Sequence, residues 1–206
     1  MKIKMRIPFF VSLFLMLLVL NGCRTLLGFR YGMTQPREET PEKLISFLTK
    51  EKFPVNNMYL FADSACYFKA LRNQVFRKNM LSHMVFDRRG HLLERDTNKC
   101  QWAGYDFIRA LNRDSSYREC AGYLLDPLLD CIQPFFDPVQ NNRVTEHPDY
   151  TVVITWAKFI GKYNQRLFVL SEAVRENRTA SIRLIYLNID MQESWNLSEQ
   201  QKVAIQ

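Results

Sequence analysis

Tyr150-Thr151-Val152-Val153-Ile154-Thr155-Trp156 is the stretch on which the fold turns, with Ala157-Lys158-Phe159-Ile160-Gly161-Lys162-Tyr163 directly behind it. A short, β-branched, apolar run of this kind suits a strand buried on both faces. From Gly161 to Asn177 the pattern changes to helical spacing, with Tyr163, Leu167, Leu170 and Val174 on one face. Ile182 to Ile189 is a second apolar run of strand length. Strand, helix, strand in that order predicts a parallel α/β core.

Upstream, Thr40-Pro41-Glu42 opens a helix: threonine caps free amides, proline suits the first helical position, and glutamate favours the positive end. Leu44, Phe47 and Leu48 form its apolar stripe, and Asn57 to Ala62 reads as a short buried strand. Asp63 and Ser64 start a second helix with Phe68, Leu71 and Val75 on one face. Leu81–Phe86 and His91–Arg95 flank Asp87-Arg88-Arg89-Gly90, the composition of a type I turn with a glycine bulge, so a β-hairpin is expected. A third helix follows around Tyr105, Ile108 and Leu111. Four prolines punctuate 114–149, where a short helix or two at Tyr123 to Ile132 and an irregular insertion are expected. A last short helix is expected from Ser198 to Gln206.

The first 22 residues have a different character. Lys2, Lys4 and Arg6 precede an apolar run of 14 residues, Ile7 to Leu20, which ends in Asn21-Gly22-Cys23. A spanning helix needs about 20 apolar residues, so the run reads as an export signal. Its close resembles a bacterial lipobox, which implies cleavage before Cys23 and acylation (palmitate-type lipidation) of that cysteine. The expected organisation is a signal peptide at 1–22, a lipidated tether at 23–39 and an α/β domain at 40–206. Arg24 after the cysteine favours the outer membrane of a Gram-negative bacterium, facing the periplasm or the surface.

Removing 1–22 leaves 184 residues, enough for one domain burying ~70% of its unfolded surface. Apolar and aromatic fractions of 47% and 13% exclude a disordered chain. Three of the 28 basic residues lie in the leader and none of the 21 acids, so the remainder carries 25 against 21, a surplus of +4. That is too small and too dispersed for a nucleic-acid face. The expected partners are the membrane, through the lipid, and an envelope protein or peptide.

Besides Cys23 there are Cys66, Cys100, Cys120 and Cys131, candidates for disulfides or working thiols. Four thiols allow three pairings, and spacing does not choose among them. No pair has C-x-x-C spacing and the three histidines are scattered, so neither a metal site nor a cofactor is expected. Asp87, Glu94 and Asp96 read as solvated charge beside a turn, and Asn177-Arg178-Thr179 and Asn196-Leu197-Ser198 fit the N-glycosylation rule.

Val152 to Tyr163 resembles the central strand and active-site turn of thioredoxin-like proteins, in which Trp-Ala and two further residues precede Cys-Gly-Pro-Cys at a helix start. Leu187-Asn188-Ile189-Asp190 resembles the end of that family's next strand, and Leu81 to Leu111 its closing hairpin and last helix. The resemblance implies a thioredoxin-like mixed sheet, parallel at its core with a β-hairpin added, flanked by helices. It also implies a peptide groove, at Trp156, Ile160 and Tyr163. Ile160 and Tyr163 stand where the family's paired cysteines are, and Lys162 where its proline is, so no catalytic residue is expected at the turn. Only 16 residues follow Asp190, so the family's closing hairpin cannot follow in its usual order; if Leu81–Arg95 fills that place, the sheet is a rearranged one with its closing elements ahead of the core strands. The expectation is a non-catalytic, lipid-anchored binding protein. The alternative is a thiol-disulfide oxidoreductase working through Cys66 or the other cysteines outside the motif.

Overall fold

The computed structural model describes residues 28, 30–94, 103–113, 117–136 and 147–203. The leader, Cys23 and Cys100 lie outside the described residues, and among those residues no helix is long and apolar enough to cross a membrane. The chain is an α/β protein built on a mixed sheet flanked by helices. In chain order the strands are β1 (Glu38–Glu39), β2 (Met58–Phe61), β3 (His83–Asp87), β4 (His91–Leu93), β5 (Glu119–Leu124), β6 (Ile132–Pro134), β7 (Tyr150–Trp156), β8 (Ile182–Asn188) and β9 (Met191–Gln192). The helices are α1 (Pro41–Glu51), α2 (Ser64–Arg72), α3 (Gln74–Asn79), α4 (Ala103–Arg109), α5 (Asp126–Leu129), α6 (Asn164–Phe168), α7 (Leu170–Glu176) and α8 (Glu199–Val203).

All seven residues of β7 are buried, because it is paired on both edges and covered on both faces of the sheet. Its parallel neighbour is β8, from Tyr150↔Ile182 to Trp156↔Asn188, and its antiparallel neighbour is β3, from His83↔Ile154 to Asp87↔Tyr150. The main sheet runs β5-β4-β3-β7-β8-β2-β6, with β2 parallel to β8 and β6 antiparallel to β2. Seven strands laid flat would span about 29 Å. Leu124 ends β5 only eight residues before Ile132 begins β6 at the other end of that order. The sheet therefore curls, and Tyr123 of β5 reaches Phe86 and Phe76 with ring centres 6.0 and 6.5 Å away.

Local signals account for most boundaries. The Thr40 hydroxyl accepts the Lys43 amide at 3.4 Å to open α1, and Lys52 closes it in a left-handed conformation. In the hairpin, Asp87 Oδ1 accepts the amides of Arg89 and His91 at 2.9 and 2.8 Å, and Gly90 takes a positive φ of 78°. The glycine bulge is thus present, as the turn composition predicts. Ser198 and Gln201 cap α8 reciprocally, side chain to amide, at 3.3 and 2.9 Å.

Four expectations need correction. The second helix is broken at Asn73, whose side-chain Oδ1 accepts the amides of Val75 and Phe76 and so starts α3 afresh. Tyr67, Ala70 and Phe76 are the buried residues of the two pieces, and Phe68, Leu71 and Val75 pack half-buried against the same core. The helix expected from Gly161 begins at Asn164, because Gly161 is non-helical, and Ser171 interrupts it by donating to the Phe168 carbonyl at 2.7 Å. The stretch expected to hold a short helix and an irregular insertion contains, besides the expected helix α5, the strands β5 and β6. Finally, the later part of the segment read as a tether is docked: β1 pairs in parallel with β9, and the Thr34 amide donates to the Phe159 carbonyl at 2.8 Å.

Asn177 joins two helices. Its amide donates to the carbonyls of Ile108, Arg109 and Leu111 at 3.0, 3.1 and 2.7 Å, satisfying the end of α4 from the end of α7. That commitment leaves the Asn177 side chain buried, which closes this glycosylation sequon in the folded chain.

Candidate functional site

The turn after β7 is held by two buried polar anchors, Asn164 and Asp190. Ala157 is extended and fully buried, and Lys158 to Tyr163 form a 3₁₀ stretch kinked at Gly161. Asn164, completely buried, accepts the Ala157 amide at 3.3 Å and donates to the carbonyls of Ala157 and Gly161 at 2.7 and 2.9 Å. Asp190, just past β8, accepts the Lys158 amide at 2.6 Å and the Asn188 amide at 2.8 Å, both on Oδ2. Burial pushes the Asp190 carboxyl up from its ordinary 3.8 to about 6, against these hydrogen bonds, which pull it down. Among the described residues, Asp190 Oδ1 and Trp156 Nε1 are buried without a hydrogen-bond partner.

The outside of the turn is covered by the chain's own N-terminal segment. Gly161 packs so closely on the backbone of Tyr31 and Gly32 that a Cβ there would lie 2.7 Å from the Gly32 carbonyl oxygen and nearer still to that of Tyr31. The Tyr31 ring meets Tyr163 edge-on at 5.6 Å, with the Arg166 guanidinium 5.1 Å from its centre. Lys158 Nζ pairs with Glu39 Oε2 at 2.6 Å, and Lys202 with Glu38 at 2.9 Å, which fixes β1 beside the turn.

On the other side of Tyr163 lies a cavity of about 440 Å³. Its walls come from the loop entering β3 (Leu81, Ser82, His83), from α4 (Gly104, Tyr105), and from the turn and the two helices after it (Tyr163, Arg166, Leu167, Val169, Leu170). Gly104 is required here, because any Cβ would collide with the His83 imidazole. The Ser82 backbone is already bonded to Thr155 through both its amide and its carbonyl. An occupant would therefore be held mainly by side chains.

The expected groove residues are only partly brought together. Trp156 is fully buried, stacked on Phe47 at 6.4 Å and near Phe168 at 6.2 Å, and Ile160 is 1% exposed. Both belong to the core, so the three-residue apolar patch is corrected to Tyr163 alone. The reason is that α1 and the N-terminal segment fill the space a free turn would leave open. Sequence reading missed His83, Tyr105 and Arg166, since nothing local marks the loop before β3 as facing the helix after β7.

The cysteines divide differently. Cys66, in the first turn of α2, lies within reach of a sulfur hydrogen bond to Cys131, and its thiol is pushed up to about 12, first by burial and then by that neighbour. Both border a smaller cavity of about 200 Å³ with Lys69, Asn73, Tyr123 and Pro127. Cys120 borders a separate cavity with His91 and Glu119. Cys66, Cys120 and Cys131 are free thiols.

Asp87, His91 and Glu119 bring one potential ligand atom each within 4.8 Å of one another. The Arg89 guanidinium, however, bonds both Asp87 and Glu119. His91 Nδ1 stands 3.0 Å from Glu119 without hydrogen-bond alignment. Both carboxylates are already engaged by the Arg89 guanidinium, so the cluster reads as an ion-pair network of the hairpin rather than as ligands.

No family model, curated protein or solved structure matches this chain.

Proposed function

We propose that the chain is a lipid-anchored cell-envelope protein whose domain is a rearranged thioredoxin-like unit that binds a partner segment. The observation that carries this reading is the antiparallel pairing of β3 with β7. The order β2-β8-β7-β3-β4 has three parallel strands, then an antiparallel hairpin. That is the arrangement expected of a thioredoxin-like sheet whose closing hairpin precedes its core strands in the chain. The same pairing sets the loop before β3 against Tyr163, the place where the resembled family binds extended peptide.

The cavity there suits one apolar side chain with an acidic neighbour. Leu81, Leu167 and Leu170 supply apolar wall, and Arg166 supplies positive charge at an exposed rim. Disulfide exchange at the turn has no support, because isoleucine and tyrosine carry no thiol. Among the described residues, the neighbouring thiols open to the oxidoreductase alternative are Cys66 and Cys131. The half-buried Cys66 thiol, pushed up to about 12, supplies almost no thiolate near neutral pH.

Panning the mature protein against a library of extended peptides tests this reading. Enrichment of sequences with an apolar anchor beside Asp or Glu is expected. Tyr163→Ala and Arg166→Glu should each weaken the selected peptide roughly tenfold or more, as loss of an aromatic contact and reversal of a charge imply. Peptides indifferent to both variants, or efficient reduction of a test disulfide by the wild type, would sink the proposal. Cys23→Ser should release the protein from the detergent phase on phase partitioning, since the acyl chains supply its membrane affinity.

A further inference from the structure

We propose that Cys66 and Cys131 are the two ends of an intramolecular disulfide, formed when the folded chain meets a disulfide oxidant, that staples the start of α2 to the edge strand β6. Three placements meet here. The Asp63 side chain caps α2 by accepting the Cys66 amide at 2.8 Å, which fixes the first turn carrying that thiol. The Ala62 amide donates to the Cys131 carbonyl at 3.0 Å, which fixes the backbone of the second cysteine directly beside the end of β2. The side chains then converge in one cavity, where the sulfurs are neighbours. This inference stands apart from the peptide groove, which is lined by other elements.

The staple has a structural purpose. β6 is three residues long and is an edge strand, joined to β2 through Tyr59↔Pro134, Leu60↔Gln133 and Phe61↔Ile132 with one backbone bond beyond each end. So short an edge would fray. The loop enclosed between positions 66 and 131 holds the hairpin, α3, α4 and β5, that is, the segment whose placement ahead of β7 makes the fold unusual. Closing a loop of that length removes unfolded-state freedom worth roughly a thousandfold in the folding equilibrium constant.

The step balances as thiol-disulfide exchange. One cysteine thiolate attacks a sulfur of the oxidant, forming a mixed disulfide and releasing one oxidant thiol. The second cysteine then displaces the other, so two electrons and two protons pass to the oxidant and one Cys66–Cys131 bond forms. Once formed, the bond resists reversal through Cys66, because a thiol held so far above its ordinary range is a poor leaving group. Slow reversal marks a structural bridge rather than a turnover site.

The test uses the mature full chain equilibrated with oxidised glutathione, alkylated, digested and analysed by mass. A cross-linked peptide joining Cys66 to Cys131 is expected. Alkylation of both in the oxidised protein, a stable glutathione adduct on either, or a link from either to Cys100 or Cys120 overturns the proposal. In parallel, Cys66→Ser and Cys131→Ser should lower the oxidised denaturation midpoint by the same amount. The double variant should fall no further, and dithiothreitol should bring the wild type close to their level. A double variant as stable as oxidised wild type also overturns it. If the variants fail to fold, the wild-type mapping still decides.

Discussion

Gly161→Ala is expected to lower the folding stability by about 3 kcal/mol, or else to release residues 30–34 from the turn. Two independent penalties combine at this position. The backbone there has φ 54° and ψ −130°, a region that residues with a Cβ adopt only under strain, at about 1–3 kcal/mol. The new methyl would also press on the carbonyls of Tyr31 and Gly32, which are backbone atoms and cannot swing aside. Gly122→Ala provides the comparison: φ is 89°, but nothing lies within 4 Å of the added Cβ. Only the conformational cost of about 1 kcal/mol applies there. Urea unfolding followed by tryptophan fluorescence measures both, and limited proteolysis reports whether the N-terminal segment has lifted. A Gly161→Ala protein as stable as Gly122→Ala, with that segment still protected, would show that the close approach is absent.

The second large effect concerns Asp190. Its folded-state carboxyl is raised to about 6 from an ordinary 3.8, chiefly by burial and further by the nearby Glu39 charge. A raised acid binds its proton more tightly when folded than when unfolded. Its contribution is therefore fully present below 3.8 and is lost as pH rises through 6. A displacement of about two pH units corresponds to about 3 kcal/mol of such stabilisation. Asp190→Asn removes the titration while keeping one oxygen to accept the Lys158 and Asn188 amides, both of which now bond Oδ2. The variant should match the wild type near pH 4 and exceed it by up to about 3 kcal/mol near pH 7.5. Asp149 is held below its ordinary range, mainly by the Ser181 amide and by Arg88, and tilts the whole curve the opposite way. The informative quantity is thus the difference between the two proteins across pH 4–8. A difference that does not change with pH would rule out a raised Asp190.

The turn shows how specific residues can be legible while their surroundings are not. Asn164 is an ordinary polar residue in the sequence, yet it is fully buried and makes three hydrogen bonds that hold Ala157 and Gly161 in place. Its role depends on a kink that no local pattern announces. Ile160 and Trp156 read equally well as groove or as core, and the choice is made by Phe47, more than a hundred residues earlier in the chain. The hairpin is the opposite case. Asp87 and Gly90 specify its turn through contacts within four residues, so the local composition suffices. The strand β5 fared worst, because Glu119-Cys120-Ala121-Gly122-Tyr123-Leu124 opens on a charge, runs through three small residues without alternation, and gains its strand character by pairing with β4.

By itself the sequence determined what short-range chemistry controls: the capped starts of α1 and α2, the hairpin turn, and the buried strands β7 and β8. It also determined that the turn after β7 carries no thiol. The tertiary structure alone decided the order in which strands pair, the docking of the N-terminal segment over Gly161, and the meeting of Cys66 with Cys131. These depend on contacts between residues far apart in the chain. Each is settled by burial and hydrogen bonding across the whole domain, where no window of sequence holds both partners.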